Sequence, residues 1–268
     1  MSLPEEMAVA TRLALQAGAA LRRHRAQGPV QVMRKPGDEP VTAADLESDA
    51  IIRRGLAEAF PADALFTEES PDSPERRRHR RVWIVDPLDS TSNYISGGDE
   101  YSLSIGLAID GQPALGVVYN PTRDELVSGW VGAGVTLNGA PVATTAVADL
   151  SQARLTISRK EMQRGLPEGL PTLALRPVAS LAYKLARVAA GLDDGVISFK
   201  RRKEWGACAG VALVLAAGGR ATLLDGQPLA FNRSEARPGR GLIAAGHAEL
   251  HRQLLSRTAA CLELSKPT

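Results

Sequence analysis

Residues 102–120, SLSIGLAIDGQPALGVVYN, constrain the fold most strongly. Leu103, Ile105, Leu107 and Ile109 alternate with small residues, and Asp110-Gly111 then Leu115 and Val117 follow. Alternation running into an Asp-Gly pair predicts an antiparallel hairpin. The chain begins differently. Over residues 4–24, Val9, Leu13, Ala17 and Leu21 recur at helical spacing behind Pro4, and over 43–60 Ile52, Leu56 and Phe60 do the same. Those periods predict two helices ahead of the hairpin. A strand is expected at 82–85, after a polar loop at 70–81.

The pattern changes near residue 145. ARLTIS reads as a strand, 180–190 and 205–217 as helices, the second closed by Gly218-Gly219. RATLLDGQPLAFN reads as a second hairpin turning at Asp225-Gly226. Helices and hairpins so mixed predict an α/β fold in two subdomains, residues 1–145 and 146–268. A chain of 268 residues buries a core large enough for both.

Composition excludes several classes of function. A net charge of +2 supplies no field for nucleic acid. Two cysteines make no disulfide framework and fit a reducing cytosol. The stretch WGACAGVALVLAAGG, residues 205–219, is too short to span a bilayer. MSLPEEMAVA is acidic where a signal peptide is basic, so a cytoplasmic location is expected.

The chemistry is concentrated in WIVDPLDSTSNY, residues 83–94. An apolar run leads into Asp86, and Asp89 follows across Pro87. Two carboxylates at such range repel unless a cation lies between them, and Mg²⁺ takes hard oxygen ligands of this kind. The Leu88 carbonyl is a third oxygen at the same turn. Ser90 and Thr91 would open a helix whose free N–H groups favour phosphate. Read alone, Asp89 or Ser90 is equally well an N-cap, and Thr42-x-x-Asp45 equally well a capping box. The segment PERRRHRR reads as a solvated loop or as a basic rim that draws in anions.

Four segments in order, PVTAADLE, LFTEES, WIVDPLDSTSNY and EWGACAGVALVLAAGG, resemble the magnesium-dependent, lithium-sensitive phosphatases of the inositol monophosphatase superfamily. The resemblance spans nearly the whole chain. It implies a layered αβαβα sandwich and a homodimer. It implies hydrolysis of a small phosphorylated metabolite by a metal-activated water, with no covalent intermediate. By the same resemblance Glu68 is a metal ligand that orients the water, Asp86 bridges two Mg²⁺ ions, and the Leu88 carbonyl binds one of them. Asp89 binds the second, Thr91 holds the water, and Asp45 polarises Thr91. Asp89, Ser90, Thr91 and Ser180 fall at substrate-binding positions.

Two positions depart from the pattern. Ser90 stands where the family has glycine, and Gly206 stands where its W-D motif has a metal-binding aspartate. Glu204 is adjacent but is expected to point elsewhere. The first metal site keeps all its ligands, so an active enzyme is expected. A catalytically impaired anion-binding relative stays open because of Gly206. For substrate, inositol monophosphate ranks ahead of a 3'(2'),5'-bisphosphate nucleotide, the choice supported by Lys184 and the LDGQPLAFN segment.

Overall fold

The computed structural model describes residues 2–28, 30–35, 38–163, 173–235 and 240–264. The chain opens with helix α1 (Pro4–Ala26), a two-stranded ribbon of β1 (Val32–Arg34) and β2 (Pro40–Thr42), and helix α2 (Ala43–Ala59). Strands β3 (Ala64–Thr67) and β4 (Arg81–Asp89) follow, then the short helix α3 (Thr91–Ile95). Next come β5 (Ser102–Ile109), β6 (Gln112–Asn120), β7 (Glu125–Trp130), β8 (Gly134–Leu137) and β9 (Ala140–Val142). Strands β3 to β9 form one seven-stranded sheet in sequence order, parallel only between β3 and β4.

The second half supplies β10 (Leu155–Ile157), α4 (Arg159–Gln163), β11 (Leu175–Pro177), α5 (Leu181–Ala189) and β12 (Gly195–Ser198). It continues with α6 (Cys208–Ala216), β13 (Arg220–Thr222), β14 (Leu242–Ala245) and α7 (Ala248–Leu264). Its five strands are ordered β11-β10-β12-β14-β13.

The layers are α1 and α2, the large sheet, α5 and α6, the small sheet, and α7. Strand β4 shows why. Trp83 and Val85 pack with Leu13, Ile52 and Leu56, whereas Val82 and Ile84 pack with Leu185 and Val211 on the opposite face. A strand covered on both faces has no polar alternation. Leu250 and Leu254 of α7 cover Ile197 and Ile243 of the small sheet. Helix α6 approaches the large sheet closely because Gly106 and Gly116 are bare. A Cβ on Gly116 would stand 2.1 Å from the Ala209 carbonyl oxygen. The first hairpin forms as expected, with Asp110 and Gly111 both at positive φ.

Two expected elements differ. Strand β4 does not stop at Val85; it runs to Asp89 with a register shift between Asp86 and Asp89. Pro87 has no N–H for the ladder, and a bulge absorbs that loss. The second hairpin is only a turn. Leu223 N–H reaches the Gln227 carbonyl, but β13 pairs with β14. Phe231 N–H is taken by Gly111 and the N–H groups of Asn232 and Arg233 by Glu204. No described helix is long and apolar enough to cross a membrane.

Candidate active site

The bulge in β4 decides where the acids go. It turns Asp86 and Asp89 into one cavity of about 280 Å³, shared with Glu68, Leu88, Ser90, Thr91 and Gly206. Glu68 arrives from the end of β3, which runs parallel to β4 at this point. Asp45 sits in the first turn of α2. The capping box is real: Thr42 N–H and its hydroxyl both reach Asp45 Oδ2, at 2.9 and 2.5 Å. That leaves Oδ1 for the site, and the Thr91 hydroxyl lies 3.0 Å from it and 3.2 Å from the Leu88 carbonyl oxygen. The capping contact and the Thr91 contact of Asp45 are therefore compatible, one on each oxygen.

Burial, with Glu68 and Asp89 nearby, pushes the Asp86 carboxyl well above its ordinary range. Burial raises Glu68 and Asp45 too, and lifts Glu69 to about 7. Lys35 partly offsets this charge, its Nζ lying 3.1 Å from Glu68 and 2.9 Å from Glu69. Asp89 faces another environment. Burial raises its pKa, while the Ser180 hydroxyl and the Ala182 N–H, donating at 2.6 and 2.8 Å, and the charges of Lys184 and Arg202 act against that rise.

Ser180 does not face the cavity. It is fully buried, caps α5 by accepting from Tyr183 N–H, and spends its proton on Asp89. It positions Asp89 in place of the substrate contact expected from sequence. Ser90 lies in the cavity wall with φ 78° and ψ 51°, a left-handed conformation suited to glycine. Helix α3 has five residues, so its N-terminal dipole is slight.

The donor set is oxygen only, as a hard divalent cation requires. Glu68, Asp86 and the Leu88 carbonyl fit one Mg²⁺. Among the described residues no three carboxylate, His or Cys side chains close on a single ion-sized point; Glu68 is held by Lys35 and Asp89 by Ser180. A second position beside Asp89 is a poor fit: Gly206 offers no carboxylate. Glu204 does not replace it, being buried with its oxygens on the N–H groups of Asn232 and Arg233.

The basic rim that was one of the two readings of PERRRHRR does not border this cavity. Arg77, Arg78, His79 and Arg80 line a separate cavity, and Arg76 is buried against Phe66. The cations that do line the acidic cavity are Arg201, Arg202 and Lys203, just ahead of Trp205. Sequence reasoning missed them; the signal was the run KRRKEW before the glycine.

An inositol monophosphatase family model matches residues 3–263. The chain belongs to the inositol monophosphatase family. Members of this family are phosphatases that act on phosphoric monoesters. A histidinol-phosphatase of Chlorobaculum parvum is 33% identical, over 92% of this chain and 99% of its own. The 3'(2'),5'-bisphosphate nucleotidase CysQ of Escherichia coli is 32% identical, over 84% and 93%. Among solved structures, an inositol monophosphatase from Anabaena matches with a TM-score of 0.80 and 30% identity, over 96% of each chain. The five-layer sandwich of this family member thus agrees with the resemblance.

Proposed function

We propose that this phosphatase hydrolyses a small phosphorylated metabolite with Mg²⁺ held by Glu68, Asp86 and the Leu88 carbonyl. The observation that supports this most is their convergence on one cavity with Thr91, itself held by Asp45. A Mg²⁺ there supplies positive charge and lowers the pKa of a bound water. The chain's own groups do the rest. The Thr91 hydroxyl donates a hydrogen bond to Asp45 or to the Leu88 carbonyl, so its lone pairs are left to accept a hydrogen bond from the attacking water and aim its oxygen. Glu68 is the acceptor for the proton that water loses. The new bond is oxygen to phosphorus; the ester oxygen leaves on the opposite side and takes its proton from solvent.

For substrate the family relatives widen the choice to histidinol phosphate, inositol monophosphate and a bisphosphate nucleotide. One observation favours the last. A cavity of about 370 Å³ adjoins the acidic one at Asp89 and Ser90 and is lined by Arg159, Lys160 and Lys200. A substrate with a second anionic group fits such a wall. Phosphate release from histidinol phosphate, inositol 1-phosphate and adenosine 3',5'-bisphosphate, with Mg²⁺ or with EDTA, tests both readings. Magnesium-dependent turnover highest for the bisphosphate supports them. Turnover of none sinks the first, and preference for a monophosphate sinks the second.

A further inference from the structure

The cavity has two walls of opposite charge. Glu68, Asp86 and the Leu88 carbonyl form one, and the segment carrying Arg201, Arg202 and Lys203 forms the other. Of these cations Arg202 is held most firmly. Its Nε donates to Ser198 Oγ at 2.6 Å and its Nη2 to Glu161 Oε2 at 2.7 Å. Glu161 is itself buried, and its other oxygen accepts the N–H groups of Phe199 and Lys200 at 2.8 and 3.1 Å. One carboxylate therefore fixes both the path of this loop and the guanidinium on it. Arg202 also lines the adjoining cavity, so it stands where the two meet at Asp89 and Ser90.

The opposite corner is bare. A Cβ built on Gly206 would stand 3.7 Å from Asp86 Oδ2, with no other side-chain atom within 4 Å. A carboxylate from that position would reach toward Asp86, and this chain has none. A dication beside Asp89 would find that acid already held by Ser180 and Ala182, and would face Arg202 and the wholly buried Lys184. Like charges at such range repel.

We propose that Arg202, held by Glu161 and Ser198, binds the substrate phosphate and supplies at the Asp89 side the positive charge that a second metal ion would otherwise supply. This rests on the phosphatase reading above. A guanidinium has five N–H bonds; two are spent on Ser198 and Glu161, leaving three for phosphoryl oxygens. Its planar fork pairs with two such oxygens at once, and because it is preorganised little order is lost on binding.

The test uses the full chain and two probes, inorganic phosphate by calorimetry and Mn²⁺ by electron paramagnetic resonance. The expected wild-type result is a single tight Mn²⁺, rising to two in Gly206→Asp. Arg202→Gln should weaken phosphate binding at least about tenfold and lower kcat/KM about 100-fold, while Mn²⁺ affinity stays within about twofold. Arg202→Lys, which keeps the charge and loses the fork, should fall between and carries the test if Arg202→Gln fails to fold. Glu161→Gln should raise KM for substrate with the Mn²⁺ site unchanged, and Glu161→Asp should recover part of that loss. Two tight Mn²⁺ ions in the wild type would overturn the proposal, as would full phosphate affinity and turnover in Arg202→Lys or Arg202→Gln. Phosphate bound through Arg202 without hydrolysis of any ester would overturn the phosphatase reading and, with it, the metal-replacing part of this proposal, leaving Arg202 as a phosphate ligand only.

Discussion

Ser90 carries the clearest strain in the site. Its φ of 78° costs a non-glycine residue about 1–2 kcal/mol, and glycine there would return about 0.5–1 kcal/mol of that to unfolded-chain entropy. Ser90→Gly should therefore raise stability by roughly 0.5–1 kcal/mol, read as a higher urea midpoint. Ser90→Val should lower the midpoint; equal midpoints for the two would show that the backbone is not strained. The departure from glycine was legible in the sequence, but its sign was not, because φ is set by how Asp89 and Thr91 are tied on either side. Asp45 was legible twice, as a cap and as a partner of Thr91, and both readings stand since a carboxylate has two oxygens. The burial of Lys184 was not legible. The side chain is wholly buried, and burial lowers its pKa to about 7. Helical spacing alone does not tell which face of α5 meets a second helix.

At the level of elements, the site exists because β4 does not end where its apolar run ends. The bulge over Asp86 to Asp89 is invisible to hydrophobic periodicity, which is why a strand of residues 82–85 was expected. The helix α6 behind it was visible as an apolar run, but its close seat was not. That seat depends on two glycines on neighbouring strands. Gly116→Ala would drive a methyl against the Ala209 carbonyl and should cost about 1–3 kcal/mol, measured by denaturant unfolding. A loss below about 0.5 kcal/mol, the usual range for a change away from packed features, would mean that α6 shifts freely. The failed second hairpin has the opposite lesson. Asp225-Gly226 makes its turn, yet Glu204 and Gly111 compete for the N–H groups that a returning strand would need.

Over the whole molecule, apolar alternation and helical periods were enough to read a mixed α/β fold, whereas the layered sandwich was implied only by the family resemblance. The order of layers and the pairing of β13 were not legible, since they depend on contacts between distant segments. The acidic cluster couples this fold to pH. Without metal, the raised pKa values of Glu68, Glu69, Asp86 and Asp89 mean that the folded state binds more protons than the unfolded one. Their contribution is full below the unfolded carboxylate range and is lost as pH rises through their raised pKa values, which for Glu69 is about 7. A metal replaces those protons, so the rise in Tm on adding Mg²⁺ should be small near pH 5 and larger near pH 8. Equal shifts at both would place the ion away from these acids. The most direct measurement is phosphate release by wild type and Glu68→Gln across a Mg²⁺ titration, on the best substrate of the panel. Saturable activation is expected in the wild type, with a kcat at least about 100-fold lower in the variant and its fold intact by circular dichroism. Undiminished turnover in Glu68→Gln would contradict the role given to Glu68.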